Sequence, residues 1–516
     1  MKKLLSTLLI LSLTAPLFGQ RYDPNLSVTV FHNDDGKNVL TQSAINTSIY
    51  CFPSTVLDYA VDPGRGVLNA LLSTKNQAGE KTTTLVAYDM RRQVGLWSQD
   101  ALSIESLLSS GGLLVSVEGK HSVLRNPVNG KPIWKASGRM FHIDSTTQRG
   151  IGFRFSSGGS FVEGIELKTG KPLWSNAILV KKGWAGYSWI DDSRLCVKAS
   201  GLNIININTG NGWVFDTTIG QNPYDSKVIA NTWAVFGIVG AMISIPAAYR
   251  SGIEINSGLC SDILVDSGDI YFAGREEVVC LDPSGATKWQ QELPKKMTSA
   301  SHLLLDNGVL YVVNKGEGFQ DGEQKAIGIS FVAAFSANDG TPIFNQQIGE
   351  KKSKKIIRDQ IAVDGNLYLI YDKTVARCSP ATGEIVQEKT FAENISHFLK
   401  GDVFLRNGAD FMPLTELSAR GNVYVAKSDG NVVGLTADLA EMNAAGFGNE
   451  FVRYYKGGNY SFLACDGHTV VINGQNHEVG DFGASDKARL IGNTLYDWLG
   501  SMNILAVDVS AFVDAK

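Results

Sequence analysis

The stretch GIELKTGKPLW, residues 164–174, has a near-copy forty residues upstream, LRNPVNGKPIW at 124–134. Each is an apolar run, a polar turn containing a glycine, and a large aromatic four residues after that glycine: Gly130 with Trp134, Gly170 with Trp174. The same arrangement returns as VVCLDPSGATKW (278–289, Gly285 with Trp289) and VAAFSANDGTPIF (332–344, Gly340 with Phe344). Weaker copies are LVAYDMRRQVGLW ending at Trp97, IININTGNGW ending at Trp213, VARCSPATGEIVQ, where Gly383 keeps the turn and Gln387 replaces the aromatic, and VVGLTADLAEM near Asp438. Gly130, Gly170 and Gly210 stand 40 residues apart, and Gly340 and Gly383 stand 43 apart. A period of ~40–45 residues with several short strands per unit is the signature of a β-propeller.

Each unit has a physical reading. Apolar, β-branched runs such as DIYFAG (269–274) and EEVVCLD (276–282) form strands. The N-G, T-G, S-G or D-G pair supplies a residue that tolerates positive φ at the turn. The returning strand then lays its aromatic (Trp97, Trp134, Trp174, Trp289, Phe344) between one blade and the next, where burial contributes roughly 1.5–3 kcal/mol per ring. Eight tags predict an all-β propeller of seven to eight four-stranded blades, eight favoured, over residues 51–510. Residues 20–50 supply one or more N-terminal strands that could close the ring. Two spacings are long. The 75 residues from Gly210 to Gly285 hold a 35-residue insertion, and the 55 from Gly285 to Gly340 hold about 15, read as a loop over NKGEGFQDGEQKAIG (314–328).

The tag A-x-D-x-x-T-G-K-x-x-W resembles the tryptophan-docking repeat of PQQ-dependent alcohol dehydrogenases and their non-catalytic relatives, from about residue 50 to 440. The resemblance implies seven or eight blades around a channel. In the catalytic members it also implies a quinone held between a tryptophan floor and a disulfide of adjacent cysteines, a Ca²⁺ on carboxylate and amide oxygens, and an Asp that takes the alcohol proton. None of these is legible here. The six cysteines (Cys51, Cys196, Cys260, Cys280, Cys378, Cys465) are scattered, with no adjacent or C-x-x-C pair. Asp191-Asp192, after Trp184 and Trp189, is the nearest approach to a carboxylate beside aromatics, and it reads better as a solvated turn. HNDDGKN (32–38) lacks the register of a calcium loop and reads as a hairpin turn. The seven histidines form no metal-ligand pattern. The expectation is no catalytic residue, no metal and no cofactor. KKSKK (351–355) reads as a solvated loop before a contact for an acidic partner.

The net charge of −4 supplies no basic field for nucleic acid. Lys2 and Lys3, the apolar run LLSTLLILSLTAPLF and Gly19 read as a signal peptide over residues 1–19. That predicts an exported protein, periplasmic or associated with the outer membrane. Within the 221–252 insertion, VIANTWAVFGIVGAMISIPAAY (228–249) is uncharged over 22 residues. Length alone would let it span a bilayer, but tags on both sides of it forbid crossing. It either packs on the propeller's own flank or presents Trp233, Phe236, Ile238, Met242, Ile243 and Ile245 to a membrane surface or a membrane-protein partner, through residues 223–252. Three functions stay open: a non-catalytic envelope scaffold similar to the propeller subunit of the barrel-assembly machinery, a quinoprotein-type oxidoreductase with a diverged site, and a propeller that binds carbohydrate or another small ligand.

Overall fold

The computed structural model describes residues 26–513, except 40, 76–80, 102–103, 157–158, 179–185, 199–200, 217–259, 275, 298, 321–322, 351–354 and 443–447. Eight antiparallel sheets follow one another in chain order. Seven have four strands (55–100, 104–137, 139–178, 186–216, 264–292, 301–347 and 359–390), and the eighth, 395–435, has three. Every four-stranded sheet is a meander, its strands neighbouring each other in sequence order. The middle strands are apolar on both faces: Val309–Asn314 (VLYVVN) and Phe331–Ser336 (FVAAFS) are almost wholly buried, because each sheet is covered on both sides by neighbours. The last strands, such as Pro172–Ile178, are mostly solvent-facing.

The apolar core is a series of layers between successive sheets. Leu71, Leu85 and Trp97 of the first sheet pack with Ile104, Leu107 and Leu114 of the second. Val332, Ala334 and Phe344 of the sixth pack with Leu367, Leu369 and Ala376 of the seventh. A ninth, eleven-stranded sheet completes the molecule from strands within 403–413, 450–482, 29–51 and 489–508. Ala44–Cys51 pairs with Asn503–Asp508, so strands from the two ends of the described chain lie side by side. This sheet meets the first one directly: Val56 donates its N–H to Ser501 O at 2.7 Å, the Tyr59 hydroxyl donates to Tyr496 O at 3.3 Å, and Tyr50, Tyr59, Leu68 and Ile504 share one apolar cluster.

Two sequence expectations change. The stretch read as a loop contains regular structure: Glu317–Gln320 and Glu323–Ala326 pair as a two-stranded ribbon. The backbone satisfies its own polar groups there despite the low apolar content, which hydrophobic content alone does not register. HNDDGKN is not a hairpin turn. It continues Thr29–Asn38, with the register slipping between Asn33 and Gly36, so the D-D-G is absorbed as a bulge.

The wedge aromatics are unequally buried. Trp97, Trp289 and Phe344 are buried at 7–9% exposure, whereas Trp134 and Trp174 are only partly so. Trp289→Ala should therefore cost about 3–5 kcal/mol, and Trp174→Ala measurably less. Urea unfolding of the two variants, compared with wild type, reads the order directly; equal losses would mean that burial does not set the strength of these contacts.

Candidate functional site

The seams between sheets show one recurring geometry. Trp97, Trp134, Trp174, Trp289 and Phe344 each sit on the last strand of a sheet, opposite Ala87, Leu124, Gly164, Cys280 and Ala334 on the strand before. Each indole reaches over the seam and donates its N–H to a turn carbonyl of the next sheet: Trp97 to Pro127 O (3.1 Å), Trp134 to Leu167 O (2.9 Å), Trp174 to Ile207 O (3.2 Å) and Trp289 to Ala337 O (3.0 Å). The ring lies flat on the glycine of that turn. A Cβ on Gly170 would stand 2.7 Å from the Trp134 ring, and one on Gly340 would stand 2.6 Å from Trp289. Gly130, Gly210, Gly285 and Gly383 face Trp97, Trp174, Trp213 and Phe344 in the same way, all six at positive φ. No residue with a side chain fits under the ring.

Two of the weaker copies of the tag join this series. Trp213 makes the same contact, donating to Pro283 O at 3.1 Å across the 217–259 interval. Gln387, where the aromatic is lost, donates its side-chain amide to Asp438 O, replacing the indole hydrogen bond without the ring. A further set lies on, or just before, the first strands. The carboxylates of Asp58, Asp262 and Asp359 accept the backbone N–H of Leu107 (2.7 Å), Leu303 (3.0 Å) and Phe398 (2.7 Å) in the following sheet. Burial pushes the Asp58 carboxyl up, against the opposing pull of N–H donors from Leu107 and Tyr59. The available signal was an Asp at the start of the first apolar run in these three units (DYAV, DILV, DQIAV).

The other singled-out residues come together less. Asp191 caps its own turn, accepting from Ser193 and Arg194; although burial works to raise its carboxyl, those hydrogen bonds bring it down to about 2. Trp189 stands edge-on to His142, with ring centroids 5.2 Å apart, and Trp184 is outside the described residues. Lys355 lies over the Tyr371 ring at 4.6 Å and 3.5 Å from Glu388; the rest of KKSKK is not described. Trp233, Phe236, Ile238, Met242, Ile243 and Ile245 also fall outside the described residues. None of the six cysteines is joined in a disulfide. Among the described residues, no three His, Cys, Asp or Glu side chains converge to hold a metal, and no helix is long and apolar enough to cross a membrane.

Two hollows remain. A polar cleft of about 570 Å³ separates the eighth sheet from the eleven-stranded one, with His397, Lys427, Asp429, Glu450 and Asp466 in its walls. An apolar groove of about 350 Å³ runs across the sixth, seventh and eighth sheets. In the cleft, His397 Nε2 lies 2.9 Å from Glu450 Oε1, and Ser396 Oγ lies 3.0 Å from its Nδ1. The hydrogen bond to Glu450 raises the imidazole above its ordinary value, against partial burial; Asp359 adds to the rise and Lys400 opposes it. A raised folded-state value means that this seam is strengthened below pH 6.5 and loses that contribution as pH climbs through the His397 transition. An NMR titration should place that transition above 6.5 in wild type and return it towards the ordinary value in Glu450→Gln. A wild-type transition at or below 6.5 would refute the pairing.

Comparisons with known proteins follow this geometry. The family model described as outer membrane protein assembly factor BamB matches residues 161–479, more than half of the chain. Among solved structures, BamB from Moraxella catarrhalis is 12% identical, with 75% of this chain and 96% of that chain covered, at a TM-score of 0.30. A eukaryotic initiation factor is 10% identical, covering 72% and 90%, at 0.36. Hsv2 from Kluyvelomyces marxianus is 6% identical, covering 74% and 92%, at 0.27. No curated protein sequence matches the chain. With a family model spanning six of its eight tags, this chain belongs to the BamB-like family of PQQ-repeat β-propellers.

Proposed function

We propose that the protein is an exported, non-catalytic scaffold of the cell envelope, an eight-bladed tagged ring completed by the sheet that joins its two ends. The observation that carries this reading is the family match over residues 161–479, together with first-strand carboxylates used for joining sheets rather than for chemistry. The attachment point in this reading is residues 223–252. An uncharged 22-residue run left in water would be a larger apolar patch than soluble proteins expose, so a membrane surface or a membrane-protein partner covers it.

Deleting residues 223–252 should leave a folded, all-β protein that moves from the membrane pellet to the soluble fraction. Full-length mature protein that is already soluble and monomeric without detergent would instead make the run part of the propeller's own packing.

A further inference from the structure

The apolar groove lies where the first strands of three successive sheets end. Its walls include Leu304 and Leu305 of the sixth sheet, Ile361 and Val363 of the seventh, and Leu399 and Tyr424 at the eighth. Lys400, the cation in this lining, is committed to Asp359. Immediately beyond the walls, the turns carry Asp306 and Asp364, and the fifth sheet carries Asp266 at the corresponding turn. Asp306 accepts the N–H of Gly365 at 2.6 Å, which sets the turns of the sixth and seventh sheets side by side. Gly421 closes the far side, close enough that a Cβ there would stand 3.1 Å from Asp364 Oδ2.

The charges on this face are uneven. Asp62 is paired with Arg65, Asp191 with Arg194 and Asp269 with Lys288. Among the described residues, Asp266, Asp306 and Asp364 have no ion-pair partner. Glu416 and Arg420, on the short helical segment and the turn after it, bring one charge of each sign to the outer rim. An apolar trough bordered by uncompensated carboxylates is complementary to an apolar side chain flanked by cations.

We propose that this groove binds an extended peptide segment of a partner protein, seating an aliphatic or aromatic side chain between Leu305 and Val363, with lysine or arginine on each side against Asp266, Asp306 and Asp364. The inference rests on the scaffold reading in that its occupant is a protein. It is tested on the full mature chain by fluorescence anisotropy with a labelled KKLFKK peptide, beside EELFEE and KKSSKK. KKLFKK should bind most tightly, and less tightly as salt rises. The isosteric D266N/D364N variant should weaken it on the order of tenfold, and L305S should weaken it with the far-ultraviolet spectrum unchanged. Equal binding of KKSSKK, or undiminished binding to D266N/D364N, would overturn the proposal. Because this assay contains no envelope component, its failure leaves the membrane-association result standing. Binding of KKLFKK without any membrane association would keep the groove and remove the envelope role.

Discussion

The contact on which this molecule depends is an indole laid flat on a glycine turn, with its N–H on a carbonyl of that same turn. The ring covers a backbone segment that would otherwise be wet, and the hydrogen bond satisfies the one polar atom that the ring takes out of water. Both halves are needed. Burying an unpaired indole N–H would give back part of what the apolar area contributes, and any Cβ on the turn would lift the ring away. Trp134 over Gly170 and Trp289 over Gly340 differ in burial, but not in this logic.

Around that contact, the first strands add a second fastening of a different kind. Asp58, Asp262 and Asp359 give acceptors to backbone N–H groups of the following sheet. Flat rings thus join sheets through their last strands, and carboxylates join three seams near the first strands. Where the ring is missing, at Gln387, the hydrogen bond persists without the apolar area.

How much of this could be read in advance follows from what repeats. The tag is a local string whose turn and aromatic are four residues apart, so a period made it visible and gave the sheets their order. Trp213 was underweighted because its string, IININTGNGW, is shortened by one residue before the ring, although the ring reaches its carbonyl all the same. Asp58, Asp262 and Asp359 were missed because one Asp before an apolar run is unremarkable until two sheets are seen together. A strand within residues 20–50 was expected to close the ring, but its partner was illegible: Cys51 lies opposite Asn503, more than 450 residues away, and pairing at that distance leaves no local pattern. The 350 Å³ groove is a product of three sheets meeting and has no string of its own.

The pairing of Ala44–Cys51 with Asn503–Asp508 also has a consequence for biosynthesis. Trp97, Trp134, Trp174 and Trp289 wait only 30–48 residues, and Trp213 waits 70, before each finds its turn. The strand Ala44–Cys51 has no such early partner on that side, because its neighbour is made some 450 residues later. At ~5–20 residues per second, some 450 residues of synthesis leave that edge open for roughly 20–90 s. An edge strand open for so long is a template for wrong pairing, so the newborn chain has reason to be held by a chaperone until its final strands emerge.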